Sequence, residues 1–93
     1  MPGIVITGHG SFASGLLQAV EQVVGPQQNC VAVNFPEQMS TAQLRGALNA
    51  ALTEVAQADG VVFLTDMLGG SPFRCASELA DQRGDCEVLT GVN

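Results

Sequence analysis

The only histidine in these 93 residues lies between two glycines, in Gly8-His9-Gly10-Ser11, directly after the apolar run Ile4-Val5-Ile6-Thr7. A second stretch, Thr65-Asp66-Met67-Leu68-Gly69-Gly70-Ser71-Pro72, likewise follows an apolar run and brings a carboxylate to a glycine turn. These residue types suit one chemistry. A carboxylate that accepts a hydrogen bond from one imidazole nitrogen fixes the ring tautomer and leaves the other nitrogen as a nucleophile. It also supports the positive charge that the ring develops on attacking phosphorus. Glycine turns at helix starts let main-chain N–H groups approach and hold phosphoryl oxygens.

Each residue also has a plainer reading. A histidine in a helix-capping turn can be a local hydrogen-bonding residue, and Asp66 can be an Asx-turn residue. Ser71 suits an N-cap, and Met67-Leu68 could be buried loop anchors. What decides between the readings is whether the two turns meet, which depends on the elements that carry them.

Residues 3–7 read as a buried strand, apolar and β-branched. From Phe12 the period becomes helical, with Phe12, Leu16, Val20, Val23 and Val24 on one stripe, and Gly25-Pro26 stops the helix. Cys30-Val31-Ala32-Val33 is the second strand, ending at Asn34-Phe35-Pro36. Ser40 and Gln43 form a capping box for a second helix, whose stripe Leu44, Leu48, Ala51, Leu52 and Val55 runs to about Ala58. Val61-Val62-Phe63-Leu64 is a fully apolar strand, as expected in the middle of a parallel sheet. Ser71 as N-cap and Pro72 as first helical residue open a third helix, broken at Arg83-Gly84-Asp85. Glu87-Val88-Leu89 is a fourth, shorter strand.

The alternation βαβαβαβ predicts a single α/β domain over residues 1–93, a doubly wound parallel sheet with helices on both faces. In the flavodoxin-like order 2-1-3-4, the switch point lies between strands one and three, where such sheets bind ligands. His9 follows the first and Asp66 the third, so they should sit side by side. Gly10-Ser11 and Gly69-Gly70-Ser71 then open two helix N-termini toward the same place, an anion site that needs no basic side chain.

Composition removes several alternatives. Nine acidic residues against three basic ones, none of them lysine, argue against nucleic acid as a partner. A phosphate loop of the GxxxxGK[ST] type is excluded by the missing lysine. Cys30, Cys75 and Cys86 lack metal-ligand spacing and read as small core residues in a reducing compartment, so neither a metal nor a cofactor is expected. No signal peptide or membrane span is visible, which points to the cytoplasm.

The stretches from Gly8 to Leu16 and from Asp66 to Phe73 resemble the two defining motifs of the IIA components of the mannose family, in the bacterial phosphoenolpyruvate-dependent sugar phosphotransferase system. Thr90-Gly91-Val92-Asn93 resembles the end of that family's fourth parallel strand. The resemblance implies that His9 is phosphorylated by phospho-HPr and passes the group to a histidine of the IIB component, and that Asp66 orients His9. It further implies that Ser71, with the Met67-Leu68 backbone, forms the loop around the phosphoryl group; the helix starts place Gly10, Ser11, Gly69 and Gly70 at the same anion site. Sugar is phosphorylated by IIB as it enters through the membrane components IIC and IID, which this chain meets only indirectly. Phe35-Pro36-Glu37 and Phe73-Arg74 are similar to the N-acetylgalactosamine and galactosamine branch.

Family members continue past this point with a helix, a strand that takes part in a swapped homodimer, and a last helix. A chain stopping at Asn93 is therefore expected to lack that part of the domain, and to associate or to expose apolar surface. A phosphotransfer subunit of a dihydroxyacetone kinase shares the fold and the histidine. A flavodoxin-like binding module without covalent chemistry is the alternative from another class.

Overall fold

The computed structural model describes residues 2–55, 59–67 and 69–91. The elements follow the expected alternation: β1 (Gly3–His9), α1 (Phe12–Val24), β2 (Cys30–Phe35), α2 (Thr41–Glu54), β3 (Val61–Thr65), α3 (Ser71–Arg83) and β4 (Cys86–Leu89). All four strands are parallel, in the order β2-β1-β3-β4. The expected doubly wound sheet is the observed one, and its switch point lies between β1 and β3.

Boundaries shift in ways that matter for the site. β1 continues past Thr7 to His9, so the histidine is still on the strand and pairs in register with Phe35. α3 takes Gly70 as its N-cap, with Ser71 already helical; the expected Ser71 cap is displaced by one residue. α2 ends at Glu54, with Val55 as its C-cap. Its expected continuation to Ala58 falls outside the described residues, as do the last two residues of Thr90-Gly91-Val92-Asn93.

Side chains alternate across a strand, and the two faces of this sheet are filled differently. Val5, Val33, Val61 and Phe63 pack with Leu44, Leu48 and Leu52 of α2 and Cys75 and Leu79 of α3. Each such side chain contributes about 1.5–3 kcal/mol on burial. An aliphatic stripe at helical spacing facing β-branched strand residues is sufficient reason for this layer to form. Arg45 and Glu78 join α2 to α3 at the surface as an ion pair, which contributes little to stability.

α1 lies on the other face, packing over β1 and β2 with Ala13 buried. It is the only described helix there. Its expected apolar stripe is therefore only partly covered: Phe12 and Leu16 are half-buried, whereas Val23 is 83% exposed and Val24 also stands in solvent. Leu89, at the end of β4, is 52% exposed. Among the described residues no helix is long and apolar enough to cross a membrane, and no cluster of three or more His, Cys, Asp or Glu could hold a metal.

Candidate functional site

β1 and β3 run side by side with Thr7 opposite Thr65, so the residues that leave their carboxyl ends emerge together. His9 and Asp66 meet there. Asp66 Oδ2 accepts two hydrogen bonds from His9, from the main-chain N–H at 2.9 Å and from Nδ1 at 3.0 Å. The histidine side chain is 44% exposed and the aspartate 13%. The carboxylate is thus set back in the sheet edge while the ring reaches into solvent.

Burial works to raise the Asp66 carboxyl, but the hydrogen bonds from the His9 main chain and ring outweigh it and hold the group below the usual carboxylate range. An ionised carboxylate only accepts hydrogen bonds, so Nδ1 of a neutral ring must carry the proton. Nε2 is then the nitrogen with a free lone pair.

Two close approaches fix this pair. A Cβ at Gly8 would lie 2.4 Å from the Phe12 ring and 2.9 Å from the Asp66 carboxyl carbon, so only glycine lets α1 and the carboxylate close over β1. A Cβ at Gly70 would lie 2.6 Å from His9 Cε1 and 3.2 Å from Nε2. The Cε1–Nε2 edge of the imidazole is therefore in contact with the residue that begins α3.

That helix start is open. Gly70 has no side chain to cap it, and no side-chain cap bond is present among the described residues. Pro72 supplies no N–H, and the first N–H groups of a helix have no partner within the helix, which leaves those of Ser71 and Phe73 as donors. The Ser71 hydroxyl, not used as a cap, is available at the same place. Gly69 and Met67 lie exposed in the turn, and Leu68 falls outside the described residues.

The start of α1 differs. Gly10 is tied to β2 by its N–H, which donates to the Phe35 carbonyl at 2.8 Å. Ser11 is the N-cap but makes no side-chain cap bond. Asn34 performs that function from β2: its Oδ1 accepts from the Ser14 N–H at 3.0 Å, and its Nδ2 donates to Ser14 Oγ at 2.9 Å. The Phe35 ring stands against the imidazole, with centroids 5.9 Å apart and planes inclined at 62°.

Gly8, Asn34, Ser14 and Phe35 stand at the site without having been expected there as site residues. For Gly8 a signal existed, since glycine in a strand often marks a close approach. Asn34 and Phe35 reach the site only through the register of β2 against β1, which sequence alone does not give.

The site is thus a histidine–aspartate pair at the switch point of a doubly wound α/β sheet, facing the N-terminus of α3. The chain belongs to the EIIA-man family: the family model described as the PTS system fructose IIA component matches residues 3–93. It is 41% identical over 92 residues to YadI of Escherichia coli K12, whose name assigns it as a phosphotransferase enzyme IIA component; the match covers 99% of this chain and 63% of YadI. It is 38% identical over 90 residues to the PTS system mannose-specific EIIAB component of the same organism, covering 97% of this chain and 28% of that one. The crystal structure of the phosphotransferase system component EIIA from Streptococcus agalactiae superposes with a TM-score of 0.89 at 36% identity, over 100% of this chain and 71% of that one. The chain spans less than two thirds of the length of the curated relatives YadI and EIIAB.

Proposed function

We propose that this chain is a phosphocarrier in sugar uptake, with His9 as the residue that carries the phosphoryl group. Nε2 attacks the phosphorus of phospho-HPr; the new N–P bond forms on His9 as the N–P bond of the donor breaks. The Nδ1 proton stays in place throughout, held by Asp66 Oδ2, so no proton has to leave the ring. Asp66 stabilises the positive charge that the ring acquires. The open N–H groups of Ser71 and Phe73, with the Ser71 hydroxyl and the Gly69-Gly70 turn, receive the phosphoryl oxygens. The same step in reverse hands the group to a histidine of a IIB component, which phosphorylates the sugar.

The observation that carries this reading is the division of the imidazole. Nδ1 is occupied by a carboxylate, and Nε2 lies against the uncapped N-terminus of α3. A merely structural histidine has no need of both. Membership of the EIIA-man family gives the same reaction class, and the mannose-specific relative carries an EIIB part with its EIIA part by name. Homodimer formation, expected from the family resemblance, is part of the proposal.

The test is passage of label. The chain is phosphorylated with radioactive phosphoenolpyruvate, enzyme I and HPr, freed of donor, and mixed with a IIB component. Label moving to IIB is the expected result. A chain that never takes up label is a binding module, and one that takes it up but cannot pass it to IIB is not the carrier proposed.

A further inference from the structure

The contact with Asp66 fixes the imidazole at one point only. Both hydrogen bonds from His9 end on the same atom, Oδ2, and a ring held by a single acceptor can swing about it. Gly70 touches the Cε1–Nε2 edge but has no side chain to press on the face. Phe35 supplies the missing constraint. It ends β2 in register with His9, and its carbonyl holds the N–H of Gly10, the residue after the histidine. Its ring meets the imidazole at 5.9 Å and 62°, an inclined approach that aromatic pairs favour. Phe35 is also half-buried and packed against the core beneath α2 and α3. It therefore cannot follow the imidazole if that ring rotates.

We propose that Phe35 is a positioning residue for His9: its core-anchored ring holds the imidazole plane so that Nδ1 stays on Asp66 while Nε2 faces the start of α3. Its kinetic consequence rests on the phosphocarrier reading, whereas the ring orientation does not. Phe35→Leu keeps the main-chain bond to Gly10 and most of the apolar volume but removes the aromatic wall. Phe35→Tyr restores the wall.

Two measurements on these variants test it, after thermal melts show that they fold. Imidazole nitrogen NMR at alkaline pH should show wild type mainly with the proton on Nδ1. Phe35→Leu should show a mixture of tautomers or broadened ring signals, and Phe35→Tyr the wild-type pattern. Phosphorylation by phospho-HPr should slow in Phe35→Leu by about two- to tenfold in kcat, the size of an aromatic pair interaction, with KM unchanged. Should Phe35→Leu fail to fold, Phe35→Met carries the same comparison. A Leu or Met variant with the wild-type imidazole spectrum and wild-type kcat overturns the proposal. If wild type takes up no phosphate, the phosphocarrier reading fails, and the imidazole spectra alone then decide whether Phe35 orients the ring.

Discussion

Two helices begin beside His9, and they begin differently. α1 starts one turn of chain after the histidine, and its exposed N–H is taken by Asn34 from the neighbouring strand. α3 starts at Gly70, in contact with the imidazole, and no side chain among the described residues caps it. α2, remote from the site, has a complete capping box, with Ser40 Oγ accepting from the Gln43 N–H and Gln43 Oε1 accepting from the Ser40 N–H. Caps contribute about 1 kcal/mol each, so an uncapped start is a cost the other two helices avoid. The one left open is the one facing Nε2 of His9. An anion bound there would serve as its cap, so on the proposed function α3 would be the main phosphoryl-binding helix, with α1 holding the histidine turn on β2.

The largest expected effect comes from filling the contact between His9 and α3. Gly70→Ala leaves the φ of −80° acceptable for alanine, yet its Cβ displaces the imidazole. Phosphoryl transfer should fall by about 10²-fold, the cost of an ångström-scale misplacement, with the circular dichroism spectrum unchanged. Retained transfer would show that the close approach is incidental.

Asp66→Asn follows, with transfer slowed on the order of 10²-fold in stopped-flow phosphorylation, because an amide cannot support the charged ring as a carboxylate does. The same variant has a pH signature. The folded Asp66 carboxyl lies below its unfolded value, so its stabilisation is complete above the ordinary carboxylate pKa of about 3.9 and is lost as pH falls through the lower folded value. Urea titrations should therefore show a stability loss at acid pH that is smaller in Asp66→Asn than in wild type. Parallel curves would mean that Asp66 gains nothing from His9.

Asn34→Ala should cost about 1 kcal/mol in denaturant unfolding by removing the cap of α1, with only a modest loss of transfer. The smallest effect sharpens the contrast between α2 and α3. Ser40→Ala should cost about 1 kcal/mol of stability and leave transfer intact, whereas Ser71→Ala should leave stability within about 0.5 kcal/mol and weaken transfer. Equal stability losses for the two serines would make Ser71 an ordinary cap and remove the distinction between the helices.

How much of this could be read beforehand depends on how local the signal was. The alternating periods and the stops at Gly25 and Gly84 are local, and they led to the right elements; the sheet order came from the flavodoxin-like pattern that such alternation suggests. The meeting of His9 with Asp66 followed from topology, since residues that leave adjacent parallel strands must emerge together. The one-residue shift at α3 was not readable, because serine and glycine both suit an N-cap and only contact with the imidazole separates them. Asn34 and Phe35 were read as a strand end, and Phe35 also as part of a branch resemblance, but not as neighbours of the site, because their partners Ser14 and His9 are set by the pairing of β1 with β2. The stripe of α1 misled for a related reason: periodicity shows which side of a helix is apolar, not whether anything covers it. Val23 and Val24 fit the pattern and stand in solvent.

The most direct test of the account is to phosphorylate wild type and His9→Ala with radioactive phosphoenolpyruvate, enzyme I and HPr. Wild type should take up a single phosphate that is labile in acid and stable in base, as a phosphohistidine is, and His9→Ala should take up none. Label that survives the loss of His9 would contradict the account at its centre.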